Sequence, residues 1–235
     1  MKETARTAVV IPALDEAETI AMVIGDIPRA IAVEIIVADG GSRDGTGEVA
    51  RRAGARAIAV EGRGYGRACQ AGADAADARA DIIAFIDGDG ADRADLLGRL
   101  VGPIVAGTHD FVLGSRTRGD REPGAMLWHQ VLAGRLIGAA IAARTGVRYS
   151  DMCAFRAIRR DALAALEMRE TGYGWNVEMQ IRAARAGLRI LEVPMPYRRR
   201  AGGRSKVAGS LGGTIRAGAR ILLTVWRLAG QAGRV

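Results

Sequence analysis

The chain is poor in the residues that cross-link, cage metals or stack on bases. Of its 235 residues only two are cysteines, Cys69 and Cys153, far apart and in no metal-ligand spacing. That excludes a disulfide framework and a zinc site, and it fits a reducing, cytoplasmic compartment. Histidine is as scarce: His109 and His129 are the pair, and neither falls in a motif that would make it a general base. Aromatic residues make up 4% of the chain, which leaves no aromatic-basic platform, so nucleic acid is not expected as a partner. The N-terminal "MKETARTAVVIPAL" has no signal-peptide core and runs straight into a strand pattern. Acidic residues are missing altogether after Glu192, whereas Arg198 to Arg234 holds nine Lys and Arg. The net charge of +8 is therefore a C-terminal property, and it calls for a local anionic partner.

What is present is ordinary globular material, 49% hydrophobic and 26% charged, in a length that suits one large domain. Five apolar segments, "TAVVIPAL", "VEIIVADG", "RAIAVE", "DIIAFID" and "DFVLGSR", read as strands. Helical patterns with short connections separate them. This alternation predicts an α/β fold with a doubly wound, mostly parallel sheet. Beyond Arg116 it breaks. A polar loop leads to "MLWHQVLAGRLIGAAIAARTG", helical and apolar around most of its circumference. A short strand turning into a helix, a further helix and a last strand, "RILEVPMPYR", follow. The expected division is a domain over 1–200 and a C-terminal unit over 201–235. That unit comprises a basic, glycine-rich loop and a final helix, Thr214 to Leu228. Arg216, Arg220 and Arg227 fall within roughly 40° of one another on its wheel. Such a helix either docks on the domain or lies against an anionic membrane surface, where each basic residue contributes about 1 kcal/mol.

In an open parallel sheet, ligands sit beyond the carboxyl ends of the strands. "PALDEA", "ADGGSRDGT", "DGDGAD" and "GSRTRGDR" therefore share one rim. The first turn carries Asp15, Glu16 and Glu18, which would repel a phosphate, where a dinucleotide fold or P-loop would carry glycines. "GRGYG" at 62–66 is either a phosphate cradle or a plain turn. Asp87 and Asp89 flank one glycine and can converge on a hard cation such as Mg2+ or Mn2+; the alternative is a loop that caps the next helix. Asp92 and Asp95 are expected as caps, and Asp44 as turn chemistry. Asp39 can accept from a ribose or base, or shape its own turn. Arg116 at the rim and Arg204, Ser205 and Lys206 in "GGRSK" offer phosphate-binding forks, charge and backbone donors. Glu178, beside Tyr173 and Trp175, is either a base with a raised pKa or a structural carboxylate.

In this order and spacing the motifs resemble family-2 glycosyltransferases of the GT-A fold, and within them the polyprenyl- or dolichyl-phosphate sugar synthase branch. The resemblance spans roughly Ala8 to Leu223 and rests on "VVIPALDEAETI", "IIVADGGSRDGT", "FIDGDGAD", "VLGSR", "CAFRAIRRDAL", "GYGWNVEMQIRAARAG" and "VPMPYRRRAGGRSK". It implies that Pro12, Leu14 and Glu16 line a nucleotide pocket and that Asp39 reads base or ribose. Asp87 and Asp89 would hold Mg2+ or Mn2+ on the donor diphosphate, and Arg116, Arg204, Ser205 and Lys206 would meet phosphate. Two departures stand out: Asp39-Gly40 where the family often has two polar residues, and Cys153-Ala154 where it has Ser-Gly before Phe155-Arg156. The implied reaction is inverting transfer of a hexose from a UDP- or GDP-sugar to a lipid phosphate at the cytoplasmic membrane face. Homo-oligomerisation is left open. A hydroxyl acceptor would instead need Glu178 or Asp151 as base.

Overall fold

The computed structural model describes residues 5–202 and Thr224. Seven strands form one sheet in the order β3-β2-β1-β4-β6-β5-β7. The strands are β1 (Thr7–Ala13), β2 (Ala32–Asp39), β3 (Arg56–Ala59), β4 (Ile82–Phe85), β5 (Phe111–Ser115), β6 (Arg156–Arg159) and β7 (Ile190–Pro194). The helices are α1 (Ile20–Asp26), α2 (Thr46–Arg52), α3 (Tyr65–Ala75), α4 (Leu97–Val105), α5 (Trp128–Thr145), α6 (Arg160–Ala165) and α7 (Trp175–Arg185). The expected α/β, mostly parallel sheet is what forms, with one exception. β6 inserts between β4 and β5 and runs antiparallel to both. Its four residues carry no periodicity that distinguishes a parallel from an antiparallel neighbour; direction is fixed by the long excursion through α5. The final helix over Thr214 to Leu228 lies, apart from Thr224, outside the described residues.

Strand alternation divides the core in two. Val9, Ile11 and Ala13 of β1 pack with α1, α2 and α4, including Ile20, Val23, Ile24, Ala50, Leu97 and Leu100. Ala8 and Val10 face the other way, toward α3, α5, α6 and α7, with Cys69, Ile141, Leu163, Trp175 and Met179. β1 is fully buried along its length, because it lies between β2 and β4 with helices on both faces. That explains its unbroken apolar run.

The feature that positions the site is where β1 and β4 part. β1 pairs with β2 as far as Ala13 but with β4 only as far as Val10. Pro12, which lacks an N–H, sits past that last β4 pair, where the strand has β2 alone beside it. The chain winds β1, β2, β3 to one side, then returns to β4 on the other, so this gap is the switch point of the topology.

At the opposite edge, Asp110 joins β5, β6 and β7. It accepts from Arg189 N (3.0 Å), Nε (2.9 Å) and Nη2 (2.7 Å), and from Arg159 Nη1 (3.2 Å). These hydrogen bonds hold its carboxyl well below the usual carboxylate range. The unfolded state, titrating near pH 3.9, therefore binds a proton before the folded state does. This contribution is complete above about pH 4 and is lost on acidification toward the depressed folded value. Asp110→Asn should flatten the acid limb of stability followed by urea unfolding against pH. α5 gives a second test. A Cβ on Gly138 would stand 2.0 Å from the Tyr149 carbonyl oxygen, whereas one on Gly134 would meet nothing within 4 Å. Gly138→Ala should cost about 1–3 kcal/mol, and Gly134→Ala in the same helix should stabilise by about 0.4–1 kcal/mol, both read from chemical denaturation.

Candidate active site

Two loops are laced together on one side of the switch point. After β1, Asp15 N donates to Ser42 Oγ (2.9 Å), Glu16 N to Thr46 Oγ1 (2.9 Å) and Ala17 N to Asp44 Oδ2 (2.9 Å). In return Arg43 N donates to Asp15 Oδ1 (2.8 Å). Asp15 adopts φ +50°, an uncommon value for a non-glycine residue that this lacing holds in place. Asp39 does turn chemistry: its Oδ1 accepts from Gly41 N (3.1 Å) and Ser42 N (2.8 Å). Asp44 binds Thr46, as expected of a turn residue.

On the other side of the gap, Asp87 and Asp89 leave the end of β4. Thr19 ties the two sides by donating to the Gly88 carbonyl at 2.7 Å. Asp89 Oδ1 accepts from Ala91 N (2.9 Å) and Asp87 Oδ1 from the Tyr65 hydroxyl (3.1 Å). Asp92 is buried with them and is not a helix cap. Its backbone bridges to Tyr197, Cys153 Sγ lies 3.8 Å from its Oδ1, and the following 3-10 turn begins only at Ala94. Asp95 pairs with Arg93 on the surface. Burial, with Asp89 adjacent, pushes the Asp87 carboxyl up to about 6. Burial, with Asp87 adjacent, pushes Asp92 well above its ordinary value.

The cation that answers these acids was not legible in the motifs. Beyond β7, the segment 195–202 straps across the rim: Arg198 N donates to Ala91 O (2.9 Å) and Ala201 N to Asp89 O (3.1 Å). This places Arg200 in the gap, with Nη1 on Asp89 Oδ2 and Nη2 on Glu16 Oε1, both at 2.8 Å. Among the described residues its buried Nε has no hydrogen-bond partner. The strap reaches Gly202 beside Glu18 and Thr19. Arg204, Ser205 and Lys206 lie outside the described residues, so their expected contact with phosphate has no geometry here.

Arg116 reaches the rim as the sequence predicts, but as half of an ion pair. Its Nε and Nη2 donate to Asp151 at 2.7 and 2.8 Å, and its guanidinium lies 5.0 Å from the centre of the Tyr197 ring. Burial opposes ionisation of Asp151, yet Arg116's charge and hydrogen bonds hold its carboxyl below the ordinary range. Glu178 is sealed off. It is 1% exposed and accepts from Arg169 N (3.0 Å), Glu170 N (2.6 Å) and Arg182 Nε (2.9 Å). The aromatic neighbours read from the sequence do not create a reactive carboxyl, because backbone N–H groups and an arginine satisfy it first. Pro12 is buried within β1, and Leu14 lies half-buried at its end.

"GRGYG" resolves as a packing site. A Cβ on Gly64 or Gly66 would fall 2.2 or 2.3 Å from the Thr171 or Glu170 carbonyl oxygen. The N–H groups of Gly66 and Arg67 donate to Gly172 O and Thr171 O, so these donors at the start of α3 serve the protein. The same turn delivers Tyr65 to Asp87.

The donor set fits a hard divalent cation. The Asp87 and Asp89 carboxylates lie close enough for their charges to interact, and the principal cations bearing on Asp87 are Arg116, already shared with Asp151, and Arg200. Among the described residues no group of three or more His, Cys, Asp or Glu side chains is gathered to hold a metal ion by itself. A site of few carboxylates suits Mg2+ or Mn2+ bound together with ligand oxygens. Tyr65→Phe should remove the orienting hydrogen bond to Asp87 and weaken Mn2+ binding about 10–100-fold. Manganese titration followed by electron paramagnetic resonance checks this, with thermal stability changed little.

Comparison with known proteins agrees with this geometry. Residues 8–166 match the model of glycosyl transferase family 2. An uncharacterized glycosyltransferase of Mycobacterium bovis is 36% identical over 222 residues, covering 94% of this chain and 96% of that protein. The undecaprenyl-phosphate mannosyltransferase of Micrococcus luteus is 32% identical over 242 residues, 96% of each chain. Among solved structures, glucosyl-3-phosphoglycerate synthase of Mycobacterium tuberculosis in complex with Mn2+, UDP and glucosyl-3-phosphoglycerate superposes with TM-score 0.76. It has 26% identity, and the match covers 96% of this chain and 80% of that one. With its mostly parallel α/β sheet, its carboxylates at the β1/β4 switch point and this spread of relatives, the chain belongs to glycosyl transferase family 2.

Proposed function

We propose that this glycosyltransferase moves a hexose, with inversion, from a UDP- or GDP-linked sugar to a polyprenyl phosphate at a membrane surface. One observation carries the reading. Hard carboxylate donors, Asp87 and Asp89, share a crevice with the strap that holds Arg200 and leads directly into the basic 203–206 segment. That combination suits a diphosphate leaving group and a second, anionic reactant. The relative from Micrococcus luteus, named for mannosyl transfer to undecaprenyl phosphate, supports the acceptor class. The solved complex with Mn2+ and UDP supports the donor class.

Mg2+ or Mn2+ held by Asp87 and Asp89 would supply Lewis-acid neutralisation of the nucleoside diphosphate. The chain's own residues do the rest. Tyr65 and Ala91 N–H orient the two carboxylates, and Thr19 keeps the first loop closed on them. The laced loops around Glu16 and Asp39 form the floor for the nucleotide. Arg200 holds its guanidinium in the crevice across Asp89 and Glu16, a group suited to phosphate oxygens. A lipid monophosphate with a second pKa of about 6 is already an anionic nucleophile, so positioning replaces proton abstraction. Arg204, Ser205 and Lys206, which follow the strap in sequence, are the proposed acceptor-phosphate group, together with Arg116. Residues 201–235 are proposed as the membrane-facing unit; among the described residues no helix is long and apolar enough to cross a membrane.

A hydroxyl acceptor is the second reading, favoured by the likeness to the phosphoglycerate-using synthase. It needs a base, and both expected bases are engaged: Glu178 by two backbone N–H groups and Arg182, Asp151 by Arg116.

Purified protein with Mn2+, polyprenyl phosphate and a panel of radiolabelled UDP- and GDP-sugars should move label into the organic phase. Asp89→Asn should lower that transfer about 10²-fold or more, and Glu178→Gln should leave its pH profile unchanged. Label found only in a water-soluble glycoside, with Glu178→Gln as damaging as Asp89→Asn, would establish the hydroxyl reading instead.

A further inference from the structure

α5 is apolar around most of its circumference. Its inner side buries Gly134, Gly138 and Ile141 against the domain. Its outer side carries Trp128, Leu132 and Leu136 at four-residue spacing, 77%, 48% and 63% exposed, continued by exposed Ala139 and Ala143. Leu127, just before the helix, is 46% exposed. A helix this apolar, with arginines as its exposed charges, suits a lipid boundary better than open water. This one lies on the surface with Trp128, Leu132 and Leu136 exposed.

Charge selects among occupants. From Pro123 to Ser150 there is no acidic residue, while Arg135, Arg144 and Arg148 stand exposed along the segment. Just before it, Arg121 and Arg199 are exposed beside the exposed Asp120 and Glu122. Along the helix itself, exposed aromatic and leucine side chains with basic residues and no acids fit an anionic lipid surface. Continuity points the same way. The loop entering α5 is tied to the strap: Glu122 N donates to Tyr197 O (3.0 Å), and Arg199 Nε to Pro123 O (2.6 Å). One residue after Arg199, Arg200 lies on Asp89 and Glu16 in the crevice. The apolar face therefore begins beside the mouth of the site.

We propose that the outer face of α5, Trp128, Leu132 and Leu136 with Leu127, is the seat of this protein on an anionic lipid surface. Seated there, the crevice faces the headgroup layer, and a lipid-borne phosphate reaches the strap without leaving the bilayer. This rests on the lipid-phosphate reading for its purpose, but the binding surface stands on its own observations.

The test uses the full chain, wild type and Leu132→Glu/Leu136→Glu, in co-sedimentation with phosphatidylcholine vesicles with and without phosphatidylglycerol. Wild type should bind the anionic vesicles, and the variant should lose that binding about tenfold or more. Turnover of a short, water-soluble polyprenyl phosphate should stay within about twofold in the variant, which also reports that it is folded. Transfer to the same acceptor class embedded in vesicles should fall with binding. Trp128→Ser supplies an independent reduction should the double variant fail to fold. Vesicle binding equal to wild type in these variants overturns the proposal. So does a shift from dimer to monomer by light scattering with vesicle binding unchanged, which would make the face a contact between copies. A wild type that binds vesicles through Leu132 and Leu136 yet never glycosylates the soluble acceptor refutes the lipid-phosphate reading and leaves the surface standing.

Discussion

The structure turns on mutual repulsion among carboxylates at the end of one buried strand. Asp87, Asp89 and Asp92 leave β4 together, and Glu16 approaches from the loop after β1. Buried like charges are costly unless something positive shares the space. The fold brings Arg116, already shared with Asp151, and Arg200, the latter from the far end of the described chain. Bringing it there takes a strap hydrogen-bonded to the loops after β4 and β5, with β7 already seated at the sheet edge. The crevice is thus closed by the same element that leads to the basic segment, so the diphosphate and acceptor halves of the chemistry are joined by a few residues.

Much of this was legible from sequence. Apolar runs marked the strands because β1, β4, β5 and the Ile35–Ala38 stretch of β2 are buried on both faces, and the rule that ligands gather past their carboxyl ends brought the right loops together. Asp87 and Asp89 followed from their spacing around Gly88. What stayed illegible depended on partners distant in sequence. Arg200 lies 111 residues from Asp89 and 184 from Glu16, and three consecutive arginines offer no local sign of which one turns inward. Asp92 looked like a cap because it precedes a helix, yet its surroundings come from Cys153 and Tyr197. Glu178 looked reactive beside aromatic residues, but its partners are backbone N–H groups, which a sequence pattern does not display.

The antiparallel β6 has a related lesson. It occupies the place between β4 and β5, and it carries Arg156, fully buried and, among the described residues, with no carboxylate partner. That guanidinium donates to the carbonyls of Cys153 and Asn176 and lies over the Phe111 ring, so the protein satisfies it with backbone and a π face. Burial lowers its pKa from the ordinary arginine value. In this way β6 links the loop carrying Cys153, beside Asp92, to α7 and β5. The region around the crevice is therefore held from beneath as well as from the rim.

The central claim is that these carboxylates form a cation site completed by a nucleoside diphosphate. Calorimetric titration of Mn2+ into the protein, alone and with UDP or GDP, tests it most directly. The account predicts weak Mn2+ binding alone, where Arg200 already occupies Asp89 and Glu16, and much tighter binding when one of the nucleotides is present, with both lost in Asp89→Asn. Equal Mn2+ affinity with and without nucleotide, or an Asp89→Asn protein that still binds both, would contradict it.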